Sequence, residues 1–90
     1  MGTAAVKIKI MPDSPDADLS AIEQALSDLI VKEGGKVAKI EREPIAFGLN
    51  AVYITFAWTE DADRDDLEAK AAKLDHVNSA EIVDFRRAFG

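Results

Sequence analysis

In "AAVKIKIM" apolar and polar positions alternate, with Val6, Ile8 and Ile10 on one side and Lys7 and Lys9 on the other. A period of two marks a half-buried strand. "PDSPDAD" interrupts it with two prolines and three aspartates, the composition of a loop. From Leu19 the spacing widens: Leu19, Ile22, Leu26, Leu29 and Ile30 fall on one face of a helix. Asp16 and Asp18 stand where a cap and the helix dipole favour negative charge. Gly34 and Gly35 end the helix, because glycine accepts the left-handed conformation used there.

"KVAKIERE" reads as a second strand, with Ala38 and Ile40 expected on its apolar face. Pro44 lacks a ladder donor and closes it. "LNAVYITFAW" carries the strongest strand pattern, Val52, Ile54 and Phe56 on one face and Tyr53 and Thr55 on the other. Its length and apolar density predict a central strand. "TEDADRDD" loads the start of a second helix with carboxylates, and Leu67, Ala71 and Leu74 form its buried stripe. In "VNSAEIVDFRRAFG", Ile82 and Val83 mark a short final strand. The order strand, helix, strand, strand, helix, strand folds most simply into a ferredoxin-like α+β sandwich. This βαββαβ arrangement is a four-stranded antiparallel sheet with both helices on one face. Such a fold hosts many functions and names none.

Ninety residues suit one domain spanning 1–90 with a single small core, in which somewhat over ~60% of the unfolded surface is buried. The chain has no cysteine, which removes disulfides, thiolate metal sites and cysteine nucleophiles. No apolar run approaches the ~18 residues of a spanning helix. The opening "MGTAAVKIKIM" inserts lysines into its apolar stretch, unlike a signal peptide, so a cytoplasmic location is expected. Seventeen acidic residues against 11 basic give a net charge of −6. That balance repels phosphate backbones, argues against nucleic acid as a direct partner, and could steer the chain towards a basic protein surface.

Most chemistry-bearing patterns have a plainer explanation. His76 is the only histidine and has no serine–carboxylate constellation around it in sequence; a helix-end residue accounts for it. "PDSPDAD" lacks the glycine and glutamate of a calcium loop, so no metal is expected. "AFGLNAVYITF" resembles the third-strand signature of RNA-recognition motifs, but the leading basic residue is missing and the open side offers mainly Tyr53. A copper-chaperone loop would need two cysteines, and an acylphosphatase-type phosphate loop would need arginine where "MPDSPDAD" is acidic. Neither an enzyme nor a bound cofactor is indicated.

Two features remain. Between Pro44 and Gly48 the connection reads Ile45, Ala46, Phe47, three apolar residues where a turn is normally polar. Phe47 could close one end of the core, or Ile45 and Phe47 could meet a partner. The second is "DFRRAFG", with Arg86 and Arg87 flanked by Phe85 and Phe89 in an otherwise acidic chain. Arginine is weakly hydrated and donates in a fork, which suits an anionic cleft on a protein; a loose chain end is the plainer alternative.

Taken together, "VKIKIMPDSPDADLSAIEQAL", "EPIAFGLNAVYITFAWTED" and "VNSAEIVDFRRAFG" resemble the archaeal elongation factor 1-beta family and the C-terminal exchange domain of its eukaryotic counterparts. The resemblance covers essentially the whole chain. The Pro-x-x-Phe/Tyr-Gly corner running into an alternating strand and an acidic turn is its most specific part. It implies a translation elongation factor that promotes GDP release from elongation factor 1-alpha, the GTPase that delivers aminoacyl-tRNA. It also implies that Phe47 occupies the place of the family's partner-facing corner aromatic. The eukaryotic members' terminal lysine, which reaches towards the partner's magnesium and phosphates, falls nearest Arg87, with Arg86 beside it. Arginine there is a departure that keeps the cation and changes its shape. The competing reading is a small-ligand-binding regulatory domain of the same fold, for which "MPDSPD" makes a poor glycine-rich turn. A second is a structural subunit that docks on the same GTPase and leaves nucleotide alone.

Overall fold

The computed structural model describes residues 3–59 and 64–87, with the side chains of residues 3, 47, 59, 64, 65 and 87 outside that description. The elements are β1 (Thr3–Pro12), α1 (Leu19–Lys32), β2 (Lys36–Pro44), a 3-10 turn (Ala46–Gly48), β3 (Asn50–Thr59), α2 (Arg64–Ala72) and β4 (Val77–Arg87). Their sheet runs β2-β3-β1-β4, antiparallel throughout. This is the expected ferredoxin-like α+β fold.

The alternation of β1 and β3 builds the core directly. Val6 lies opposite Phe56, Ile8 opposite Ile54 and Ile10 opposite Val52, and all six are buried. Ile22, Leu26 and Ile30 of α1 and Leu67 and Ala71 of α2 close over that face. Leu74 contributes from just beyond α2, where it is only partly buried. Asp18 caps α1 by accepting the Ala21 N–H at 3.2 Å, so of the two aspartates this one is the cap. At the other end Gly34 takes φ 97°, and the Gly35 N–H reaches back to the Ile30 carbonyl at 2.8 Å. Gly35 also lies so close to Ile30 and Trp58 that a Cβ would sit 2.7 Å from one and 2.8 Å from the other. Trp58 meets Phe56 edge to face at 5.5 Å, and its buried indole N–H has no hydrogen-bond partner among the described residues.

Two strands differ from the sequence expectation. In β2, Val37 pairs with Phe56 and Lys39 with Thr55, leaving Ala38 as an extra residue. Such a bulge changes which side chains share a face. Val37 therefore packs on the core, while Ala38 is exposed and Ile40, though opposite Ile54, remains 41% exposed on this edge strand. The final strand is also longer than the pair Ile82–Val83 suggested, running for 11 residues. Its alternation is obscured in sequence by two irregularities, at Asn78 and Val83.

Candidate functional site

Pro44 ends β2 opposite Asn50, and the chain between them turns through the short 3-10 segment. The turn is closed by its own backbone: the Ile45 N–H donates to the Leu49 carbonyl at 2.7 Å, and the Leu49 N–H to that of Ala46 at 3.3 Å. Gly48 adopts φ 76°, a conformation that favours glycine, and lies next to Pro15 of the loop after β1. Ile45 is 38% exposed, one of few large apolar side chains on the described surface. The Phe47 side chain lies outside the described residues. The apolar corner is thus a formed turn, and at Ile45 it offers its apolar side chain to solvent.

Arg86 is opposite Ala5, and Ala5 is opposite Ala57, on the sheet face that no helix covers. Its side chain is 80% exposed and its Nε forms an ion pair with Asp84 Oδ2 at 3.2 Å. Arg87 is opposite Ala4, with its side chain outside the described residues, as are Ala88, Phe89 and Gly90. Up to Arg87 the tail belongs to a paired strand, so the reading of a loose end does not hold there. Around Arg86 the open face forms a shallow depression that also takes in Ala5, Lys7, Lys39, Glu41, Thr55 and Asp84. Lys39 is 3.5 Å from Glu41, and the Lys7 ammonium lies 4.9 Å over the Tyr53 ring. These charges alternate in sign, so the face is polar without being a strong anion trap.

The corner and the tail are not neighbours. The corner adjoins Asn50 at the start of β3, whereas Arg86 shares a row with Ala57 near its end. At roughly 3.3 Å per residue the two are about 23 Å apart. They are carried by opposite ends of one rigid sheet.

His76 is exposed, in the turn between α2 and β4. Its φ is 66°, its carbonyl accepts the Asp13 N–H at 2.9 Å, and its Nδ1 is 3.9 Å from Asp13 Oδ2. That is a helix-end role with a single carboxylate neighbour. No group of three or more His, Asp or Glu among the described residues is placed to hold a metal. None of the described helices is long and apolar enough to cross a membrane.

The class defined by the fold is a ferredoxin-like α+β domain, and its described candidate groups, Ile45 at the corner and Arg86 on the open face, are both exposed. Residues 5–88 match the domain family described as the EF-1 guanine nucleotide exchange domain. Over 89 residues the chain is 44% identical to elongation factor 1-beta of Methanobrevibacter smithii, covering 97% of this chain and 98% of that one. It is 34% identical to elongation factor 1-beta of Natronomonas pharaonis over 88 residues, covering 97% and 99%. The C-terminal domain of the MgtC protein from Mycobacterium tuberculosis superposes with a TM-score of 0.64 at 8% identity, covering 98% of this chain and 88% of that domain, a likeness of fold alone. The chain belongs to the elongation factor 1-beta family.

Proposed function

We propose that this chain promotes exchange of GDP for GTP on elongation factor 1-alpha, by docking on the GTPase and disturbing the magnesium and phosphate end of its nucleotide site. The observation that carries the proposal is family membership over residues 5–88. GDP is held on a GTPase by phosphate contacts and by magnesium, whose charge offsets the phosphates. A protein that binds the empty GTPase more tightly than the loaded one weakens nucleotide binding by the same factor. No bond is made or broken, so the chain acts as an exchange factor and not as an enzyme.

Ile45 and Phe47 anchor the corner against the partner, while Arg86 and Arg87 bring positive charge towards the phosphate region. A sheet with these groups at its two ends contacts the GTPase at two places about 23 Å apart. One contact holds the complex and the other acts on the nucleotide site. Arg86 meets an anion on the partner in competition with Asp84, an exposed ion pair worth at most about 1 kcal/mol and readily displaced.

Release of fluorescent GDP from elongation factor 1-alpha tests the assignment. Phe47→Ala is expected to raise the concentration of this chain needed for half-maximal stimulation. The double change of Arg86 and Arg87 to Ala is expected to lower the maximal rate. Both variants performing as well as wild type would show that the wrong residues were chosen.

A further inference from the structure

Strand β4 carries an extra residue just before its cationic end. Ile82 pairs with Ile8 and Asp84 with Lys7, so Val83 has no counterpart on β1. A single added residue reverses the face of every side chain that follows. With it, Phe85 stands opposite Val6 and packs on the core, and Arg86 stands opposite Ala5 on the open face. Unbroken alternation from Ile82 would put Asp84 and Arg86 under the helices and Phe85 in water. The bulge therefore decides where the cation points.

A side chain holds the bulge. β4 is an edge strand, where outward-facing amides have no ladder partner. At Ile82 the N–H donates instead to Glu68 Oε2 of α2 at 2.5 Å, in a part-buried contact. Leu67, next to Glu68, is buried in the core, as is Ala71 a turn further on, so the carboxylate is delivered by a packed helix. Bonds from a backbone amide to a carboxylate are among the stronger ones.

We propose that Glu68 is a positioning residue for exchange: by taking the Ile82 N–H it fixes the Val83 bulge and so keeps Arg86 and Arg87 in their register. The proposal rests on the exchange reading above and deepens it. Glu68 touches neither partner nor nucleotide in this scheme.

The test combines amide hydrogen exchange and cross-strand proton contacts in the free chain with GDP release in the mixture. Glu68→Ala should strip protection from the Ile82 amide, weaken the Ala5–Arg86 cross-strand contact, and lower the maximal release rate roughly tenfold. The half-saturating concentration should stay within about twofold, because the corner is untouched. Glu68→Gln keeps an acceptor oxygen and should restore the rate to within about threefold of wild type. Should Glu68→Ala fail to fold, deletion of Val83 gives the second test: Ile82 then runs straight into Asp84, and Phe85 and Arg86 keep Val6 and Ala5 as partners with no bulge to hold. The maximal rate of the deletion variant should stay within about threefold of wild type and no longer fall when Glu68 is also changed to Ala; a roughly tenfold loss on changing Glu68 in that background overturns the proposal. An unchanged Ile82 amide in Glu68→Ala, or an unchanged rate despite a shifted register, overturns the proposal. If wild type itself leaves GDP release at the spontaneous rate, the exchange reading fails and the role of Glu68 in it falls too. The amide and cross-strand measurements then still decide separately whether Glu68 holds the bulge.

Discussion

At the scale of single residues, the positions with least freedom are those where backbone meets side chain. Gly35 lies against Ile30 and Trp58 at distances that leave no room for a methyl group. Gly35→Ala is expected to destabilise the fold by about 1–3 kcal/mol, the usual range for overpacking, as urea unfolding would measure. An unchanged midpoint would mean that the α1–β2 connection moves aside freely. Asp84 is the residue-scale counterpart at the proposed contact, because it pairs with Nε of Arg86. Asp84→Asn removes a like-for-like competitor of any anion on the partner. It should raise stimulated GDP release by up to about fivefold at low salt, with the gain shrinking as salt screens the surface. A decrease would mean that Asp84 itself contacts the partner.

Elements show where sequence patterns succeed and where they stop. β1, α1 and β3 were legible because each keeps one period from end to end, so Val6, Ile8, Ile10, Ile22, Leu26, Val52, Ile54 and Phe56 could be placed on the core face by counting. β2 and β4 were not, because Ala38 and Val83 each insert one residue and a count of two then assigns the wrong face. Glu68 left no signal either; its role depends on α2 crossing β4, a contact between residues 14 apart in sequence. The two helices meet through Lys70, whose ammonium lies 2.7 Å from Glu33 and 3.1 Å from Asp66. Its hydrogen bond to Glu33 first, then that to Asp66, raises its pKa above the ordinary lysine value of 10.5. The folded state thus holds this proton more tightly than the unfolded chain. The stabilisation is complete below the ordinary value and is lost as pH climbs through the raised one. Wild type should therefore melt above Lys70→Met at pH 8, and that difference should vanish beyond the raised pKa. A difference that persists at high pH would show that packing of the lysine stem, and not its charge, joins the helices.

For the whole molecule, the decisive feature is the separation of the apolar corner from the cationic tail. Sequence placed Ile45, Phe47, Arg86 and Arg87 together as candidates but gave no distance between them. That distance comes from topology, since β3 runs away from the corner while β4 ends level with the far end of β3, with β1 between them. Groups about 23 Å apart on a rigid sheet act independently. Phe47→Ala combined with the change of Arg86 and Arg87 to Ala should thus reduce stimulated release at a fixed low concentration by the product of the separate reductions, to within about twofold. A combined loss no larger than the greater single one would mean that both ends serve one contact. The most direct measurement remains the rate of GDP release from purified elongation factor 1-alpha with a small amount of the intact chain added. An acceleration of at least about tenfold is expected, some 1.4 kcal/mol off the barrier. Release that continues at its unassisted rate would contradict it.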